Sequence, residues 1–155
     1  MEIKQEDLVK EFAYRTKKNL ETTEQIQREY PESQIKIYET TQLINSLLGL
    51  IIFPREKYYD NIPETPITDL ANNGWPIPKV IDGYQQARNL RELVSNLRHA
   101  FAHCNIEFLN QDSEISGLKV WNKDPRNGRI LWKAKMTIND IKILTDKLAE
   151  LIQQS

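Results

Sequence analysis

The sequence predicts a mainly α-helical protein: an up-and-down bundle of about four helices, with a small antiparallel β-hairpin or meander before the last helix. Most of the chain carries apolar residues at helical spacing, which predicts the helices. One stretch, residues 105–136, instead alternates apolar and polar residues, which predicts strands. A length of 155 residues suits a single domain, 1–155, with a core that needs no disulfide or metal.

The first two helices are expected at about 6–29 and 34–53. The first has a narrow apolar stripe among many charged residues, formed by Leu8, Phe12, Leu20 and Ile26. The second ends in LINSLLGLIIF, which is apolar nearly all round and therefore predicts burial on several sides. Gly49 within this run costs about 1 kcal/mol relative to Ala, so we expect it to permit a close approach by another helix.

Residues 54–83 are expected to form a long ordered loop with one or two helical turns. A continuous helix is excluded by the prolines of this stretch: Pro54, Pro63, Pro66, Pro76 and Pro78. Aromatic residues in the same stretch indicate that part of it packs against the core: Tyr58, Tyr59 and Trp75. Loops of this length are usually functional or flexible, so this one could cap a cleft or wrap a dimer.

The C-terminal half is expected to contain a third helix at about 84–104, then three short strands and a last helix. The strands are expected at 105–109, 115–122 and 129–136, with turn residues between them. Thr137 is the expected N-cap of the last helix, with Asp140 three residues later. That helix has one apolar stripe, formed by Ile141, Leu144, Leu148 and Leu151.

Composition excludes several classes of protein. The net charge of −1 argues against a protein that coats nucleic acid by bulk electrostatics. It does not exclude a local basic groove. Cys104 is the single cysteine, so no internal disulfide is expected. The start, MEIKQEDLVKEF, has no apolar core of a signal peptide. The longest apolar stretch, residues 47–53, falls short of the roughly 20 residues of a membrane span. We therefore expect a soluble, cytoplasmic protein without membrane contact.

The third helix separates into two faces when residues 88–104 are placed on a helical wheel. The apolar face contains Leu90, Leu93, Val94, Leu97, Ala100, Phe101 and Cys104. The polar face contains Arg88, Arg91, Glu92, Ser95, Asn96, Arg98, His99 and His103. This polar face therefore has three arginines and both histidines of the protein, with a single carboxylate.

A neighbouring histidine and arginine can cleave an RNA phosphodiester without a metal. Histidine can accept and donate a proton near neutral pH. Arginine keeps its charge, and its forked donors match phosphate oxygens. One group can therefore handle the proton of the 2′-hydroxyl or leaving group, while the other offsets charge on the phosphoryl oxygens.

Three other interpretations of this segment stay open at this point. A polar face with arginines can be an ordinary solvated face. His99 and His103 could be a metal pair, but HAFAH lacks the glutamate of the zincin motif and no further histidine exists in the chain. Cys104 could be a nucleophile, but its place on the leucine side predicts a small buried apolar residue. No metal and no cofactor are expected.

The string RNLRELVSNLRHAFAH resembles the RX4-6H motif of the HEPN family, in which an Arg, commonly followed by a polar residue, precedes a His. Arg98, His99 and His103 match these positions in order. The stretch LINSLLGLIIFPREKYYDNIP, residues 75–78 and a β-hairpin after the motif helix are similar to a plasmid-borne HEPN subgroup. The resemblance covers most of the chain and is most specific within the motif.

The resemblance implies an HEPN-like fold and a homodimer in which two motif helices face one another across a cleft. It also implies metal-independent RNA cleavage that leaves 2′,3′-cyclic phosphate and 5′-hydroxyl ends. His103 would be the general acid or base, Arg98 would contact the scissile phosphate, and His99 would orient them or the substrate. The helical wheel, rather than the motif, adds Arg91 and Asn96 as substrate-binding residues of the cleft.

Many HEPN ribonucleases are bacterial toxins or anti-phage effectors restrained by a partner, so the resemblance also suggests an antitoxin or a small nucleotidyltransferase as a partner. One alternative is a non-catalytic HEPN module that binds RNA, a nucleotide or a protein. Another is a helical interaction protein whose Arg–His face is ordinary surface. The intact motif favours the enzyme.

Overall fold

The computed structural model describes residues 5–31, 38–54 and 59–155. Within them lie five helices and four strands, in the order α1 (Gln5–Glu29), α2 (Glu39–Ile52), α3 (Ile67–Asn72), β1 (Lys79–Val80), α4 (Leu90–Ala102), β2 (Ile106–Gln111), β3 (Glu114–Lys123), β4 (Ile130–Thr137) and α5 (Ile138–Gln154). The predicted class, mainly α with an antiparallel β unit before the last helix, is confirmed. None of the described helices is long and apolar enough to cross a membrane.

Helix α1 packs against α2 and α5 through a stripe of mostly small residues. The buried residues are Val9, Ala13, Thr16 and Leu20. Two residues that the sequence predicted for this stripe, Leu8 and Ile26, are 42% and 37% exposed, so that part of the prediction was wrong. The four buried residues are four, three and four positions apart, so they lie on one side of the helix and face inward. Leu8 and Ile26 lie off this side and are therefore exposed to solvent.

Helix α2 is buried on several sides, as its sequence predicts; its buried residues are Leu43, Ile44, Ser46, Leu47, Leu50 and Ile51. Its expected first residues, 34–37, lie outside the described residues. The predicted close approach at Gly49 is confirmed, because a Cβ added there would lie 2.8 Å from Cζ of Phe12 in α1. The Phe12 ring stacks on Phe53, with 4.6 Å between ring centroids.

The described part of the segment 54–83, residues 54 and 59–83, contains α3 and β1 and packs against the core. Tyr58, which the sequence also predicts to pack, lies outside the described residues. The expected helical turns are present as α3. Tyr59, Ile62 and Leu70 are buried in the main core cluster, and Trp75 packs against it. Strand β1 was not expected. Its two residues pair with β4, and two residues are too few to show an alternating pattern in the sequence.

The four strands form one antiparallel sheet in the order β1-β4-β3-β2. Strands β2 to β4 were predicted to within two residues at each end. One face of the sheet is buried against α4 and α5, and its buried residues are Leu118, Val120, Asn122, Trp132, Ala134 and Met136. The opposite face is therefore formed by the alternating residues.

Helix α4 begins at Leu90, six residues later than predicted. Residues 84–89 were wrongly assigned to it, because their backbone bonds to the preceding segment instead. Ile67 N–H donates to Arg88 O at 3.1 Å, and Leu90 N–H donates to Thr65 O at 3.0 Å. Asn89 is extended, and its side chain accepts from Glu92 N–H as the N-cap.

Helix α5 begins as predicted. Thr137 is its N-cap, and the side chains and backbone N–H groups of Thr137 and Asp140 form a reciprocal capping box. Three residues of the predicted stripe, Ile141, Leu144 and Leu148, are buried, whereas Leu151 is half-buried. The helix packs on α1, α2 and the buried sheet face, which places it against the elements that flank α4.

Candidate active site at the end of helix α4

The two faces of α4 are those that the sequence predicts, with one exception. The buried residues are Leu90, Leu93, Val94, Leu97, Ala100 and Phe101. Every residue of the predicted polar face is half-buried or exposed. The exception is Cys104, which is exposed.

Helix α4 ends in a Schellman turn, and this turn explains Cys104. Cys104 has a φ of 53°, in the left-handed region. Its N–H donates to Phe101 O at 3.1 Å, and Asn105 N–H donates to Ala100 O at 2.8 Å. The prediction of a buried Cys104 was wrong because a helical wheel no longer applies once the chain leaves the helix at His103.

His99 and His103 lie together on the surface at this end of α4. Both residues are exposed. Their ring centroids are 6.3 Å apart, and the ring planes differ by 14°. His103 is the C-cap residue, and its N–H donates to His99 O at 3.2 Å. The helix end therefore presents two solvent-accessible imidazoles side by side.

Arg98 is half-buried and packs on an aromatic ring from the segment before α3. Its guanidinium carbon lies 4.8 Å from the ring centroid of Tyr59. The Tyr59 hydroxyl donates to Ile51 O at the end of α2, at 2.6 Å. Burial raises the pKa of Tyr59, and the nearby Arg98 charge only partly opposes this shift, so the phenol stays neutral. The ring thus gives the Arg98 guanidinium a fixed surface to pack on.

The three arginines of the predicted polar face, Arg88 just before α4 and Arg91 and Arg98 within it, differ in their partners. Arg88 pairs with Glu92 at 2.9 Å, and Arg91 pairs with Glu64. Arg98 makes no ion pair with any residue that the structure describes. Among these three arginines, Arg98 therefore has the guanidinium best placed to receive an added anion.

Arg91 forms hydrogen bonds with the residues that follow Tyr59. Its Nε donates to Ile62 O at 2.8 Å, and its Nη2 donates to Asp60 O at 3.1 Å, in addition to the pair with Glu64. All three of its nitrogens are thus engaged by residues 60–64. Arg91 lies on the same side of the helix as Arg98, one helical repeat earlier, but its contacts are with the protein.

Asn96 lies on the side of α4 that is next to the sheet. Its Oδ1 accepts from Asn122 Nδ2 on β3 at 2.9 Å. Asn122 is buried, and its Oδ1 has no hydrogen-bond partner among the described residues. The contact joins α4 to β3 and leaves the Asn96 Nδ2 without a partner in the described part of the chain.

The structure thus places Arg98, His99 and His103 in the last turns of α4, where both histidines are exposed and Arg98 is half-buried, with Arg91 beside residues 60–64 and Asn96 beside the sheet. Sequence reasoning missed Tyr59 as a site residue, since it lies far from the motif in the chain; the only indication was that aromatic residues of this segment pack down. Across residues 5–31, 38–54 and 59–155, no three His, Cys, Asp or Glu residues cluster as metal ligands would. Two imidazoles beside an oriented guanidinium can transfer protons and stabilise an anion.

Comparison with known proteins identifies the family of the chain. The sequence model of the family described as HEPN pEK499 p136 matches residues 1–155. No curated protein matches the sequence, and no solved structure matches it. The match spans the whole chain, so it includes the motif helix, the segment before it and the β unit after it. The chain therefore belongs to the HEPN pEK499 p136 family, as its resemblance to a plasmid-borne HEPN subgroup predicts.

Proposed function

We propose that the protein is a metal-independent endoribonuclease in which Arg98 and His103 carry out the chemistry. The observation that carries this proposal is the end of α4, where Arg98, which has no carboxylate partner among the described residues, and two exposed, neighbouring histidines lie within six residues of one helix. A solvated face needs no such arrangement, since Arg88 just before α4 and Arg91 within it are both paired.

In the proposed reaction the 2′-hydroxyl of the RNA attacks the adjacent phosphorus, and the bond from phosphorus to the 5′-oxygen breaks. A base takes the proton of the 2′-hydroxyl, and an acid gives a proton to the departing 5′-oxygen. The products are a 2′,3′-cyclic phosphate and a 5′-hydroxyl, so no water is consumed. His103 acts as the general acid or base, and His99 orients it or the substrate.

Arg98 contacts the phosphate and offsets the charge that builds on its non-bridging oxygens. The Tyr59 ring supports this role, because an arginine packed on an aromatic face loses less conformational freedom when it binds. Asn96 retains a free Nδ2 donor for the substrate. Arg91 acts indirectly, since its contacts with residues 60–64 hold Tyr59 in place.

We further propose that the enzyme acts as a homodimer with two motif helices at one cleft. A role as a bacterial toxin or anti-phage effector, restrained by an antitoxin or a nucleotidyltransferase, fits the intact motif. The partner itself would be a separate chain, so co-purification from the native host would identify it.

The proposal is tested by incubating the purified protein with mixed RNA in the presence of EDTA. The parent should cut RNA and leave cyclic-phosphate ends, and His103→Ala should reduce the rate by about 10²–10⁴-fold. Arg98→Ala should lose activity to a similar degree. Arg88→Ala is the matched control, since it removes a nearby arginine, just before α4, that is already paired with Glu92.

Two results would contradict the assignment. Loss of cleavage in EDTA that returns with added metal would exclude the metal-independent mechanism. A His103→Ala variant that melts far below the parent would show that His103 is structural. Binding of RNA without turnover, in parent and variants alike, would instead identify a non-catalytic HEPN module.

A further inference from the structure

The face of the sheet that points away from α4 and α5 is rich in lysine. It is formed by the alternating residues of the four strands, and the charged or aromatic ones are Lys79, Glu107, Lys119, Trp121, Lys133 and Lys135. None of these residues is buried. The chain as a whole has a net charge of −1, so this face concentrates positive charge that the composition alone does not reveal.

Three of these lysines, which we call the lysine row, stand directly opposite one another on adjacent strands. Lys79 is paired in register with Lys135, and Lys135 with Lys119. Adjacent strands lie about 4.7–4.9 Å apart, and like charges directly opposite each other are destabilising. An arrangement that costs stability in the isolated protein suggests that an anion lies over the row in the functional state.

A carboxylate, that of Glu107 on β2, lies beside the Lys119 end of the lysine row. Glu107 is opposite Lys119 and forms an ion pair with it. The hydrogen bond from Lys119 holds the pKa of Glu107 below its usual value, and the charges of Lys133 and Lys135 add to this effect. Lys79 and Lys135 themselves pair with no carboxylate among the described residues, so they are available to an external anion.

An aromatic ring lies two residues further along the same face of the sheet. Trp121 on β3 is opposite Lys133 on β4, and Lys133 Nζ lies 5.8 Å from the ring centroid. Trp121 is half-buried. Single-stranded nucleic acid is recognised by this combination, because its bases stack on aromatic rings while its phosphates contact ammonium groups.

The face also reaches the candidate active site. Trp121 N–H donates to Asn105 O at 3.2 Å, and Asn105 follows His103 by two residues. The Trp121 end of the face therefore lies beside the end of α4. A strand of RNA bound along the sheet would pass the start of β2 on its way to His103.

Protection of sheet edges against aggregation does not account for these lysines. Lysines on edge strands prevent unwanted pairing with other chains. In the strand order β1-β4-β3-β2, however, Lys119, Lys133 and Lys135 lie on the two interior strands. Only Lys79 lies on an edge strand, so most of the charge of this face has no such role.

We propose that the outer face of the sheet is the RNA-docking surface of this protein and binds single-stranded RNA. The phosphates contact Lys79, Lys133 and Lys135, and a base stacks on Trp121. This inference rests on the proposed function for the identity of the nucleic acid. It goes beyond the active-site motif because it assigns binding to a surface on another element.

Binding is measured with a fluorescent single-stranded oligonucleotide of mixed sequence whose 2′-hydroxyls are methylated, so that it cannot be cut. The variant Lys79→Ala/Lys135→Ala should bind at least tenfold more weakly in 0.1 M salt. The slope of log affinity against log salt should fall by about 1.4, since each lost phosphate contact contributes about 0.7 for single strands. Lys10→Ala/Arg28→Ala is the matched control, because it removes two cations of α1 that make no ion pair with any described residue.

The stacking residue is tested separately. Trp121→Ala should weaken binding roughly five- to hundredfold, whereas Trp121→Phe keeps an aromatic face and should retain most of the affinity. If Trp121→Ala fails to fold, the lysine variant and Trp121→Phe still carry the test. On cleavable RNA, Lys79→Ala/Lys135→Ala should raise KM and leave kcat near that of the parent.

The inference is overturned if the lysine variant binds like the parent with an unchanged salt slope, or if the α1 control weakens binding equally. Preference for double-stranded RNA over single strands would also overturn it. Lysine-dependent binding in a protein that cuts no RNA would support the docking surface while the proposed ribonuclease fails. Cleavage of RNA by the lysine variant with an unchanged KM would support the ribonuclease and contradict the docking surface.

Discussion

At the scale of single residues, the contact between Arg98 and Tyr59 connects the motif to the rest of the protein. The two residues are remote in sequence, and the ring is held by the hydrogen bond from its hydroxyl to Ile51 O. Helix α2, the segment before α3 and helix α4 therefore meet at Tyr59. The proposed catalytic role of Arg98 should therefore be sensitive to changes of the Tyr59 ring, and less so to changes of its hydroxyl.

We expect Tyr59→Leu to lower kcat for RNA cleavage about tenfold while KM changes little, because Arg98 would no longer be held on an aromatic face. Tyr59→Phe keeps the ring and should retain kcat within about threefold, although loss of the buried hydroxyl costs about 1 kcal/mol of unfolding free energy. Steady-state kinetics and thermal unfolding of both variants check this. Equal loss of kcat in both would show that the hydroxyl matters rather than the ring.

Cys104 carries a second residue-scale prediction. Its left-handed conformation is unfavourable for any residue with a Cβ and favourable for glycine. Cys104→Gly should therefore stabilise the protein by about 1 kcal/mol, which corresponds to a rise in Tm of about 2–4 °C for a chain of this size. Cys104→Ala is the control that removes the thiol and keeps the Cβ, and its Tm should match that of the parent. Equal Tm values for Cys104→Gly and Cys104→Ala would show that the left-handed conformation at position 104 is not strained.

At the scale of elements, the sequence predicts what helix α4 buries better than where this helix begins and ends. The wheel of α4 separates its buried and polar residues correctly, because that separation depends only on helical periodicity. It fails at both ends. Residues 84–89 bond to the segment before α3, and Cys104 enters the Schellman turn; both features depend on backbone bonds that periodicity does not encode.

The same reason limits prediction of the site. Arg98, His99 and His103 are recognisable because they share one helix end. Tyr59 comes from another segment, and the lysine row requires the register of three strands, one of which, β1, has only two residues. Neither arrangement has a local sequence pattern. Long-range contacts therefore account for most of what the sequence did not predict.

The junction of β3, β4 and α5 gives the prediction at this scale. Gly117 on β3 faces Thr137, and a Cβ added to it would lie 2.3 Å from the backbone oxygen of Met136. A backbone atom cannot move aside as a flexible side chain can, so Gly117→Ala should lower the unfolding free energy by about 1–3 kcal/mol. Chemical denaturation checks this, with the neighbouring Ser116→Ala as control. Parent-like stability of Gly117→Ala would show that the sheet can spread at this point.

At the scale of the whole molecule, we propose that the chemistry uses a second copy of the chain. One chain offers a single Arg98 and a single His103 at an open surface, with no described element covering the two exposed histidines. Two facing α4 helices would enclose the scissile phosphate and exclude water from it, which strengthens the interaction of the phosphate with Arg98. The expected mass in solution at micromolar concentration is therefore twice the 18.2 kDa of the chain.

Subunit mixing tests whether the two copies share the chemistry. Arg98→Ala and His103→Ala are each expected to be inactive as homodimers. When the two variants are unfolded and refolded together, mixed dimers keep one intact Arg98 and one intact His103 on opposite sides of the cleft, and RNA cleavage should partly return. Refolding each variant alone provides the control. Confirmed mixed dimers without any return of activity would place the arginine and histidine of one active site in the same chain, and an active monomer would exclude the shared cleft altogether.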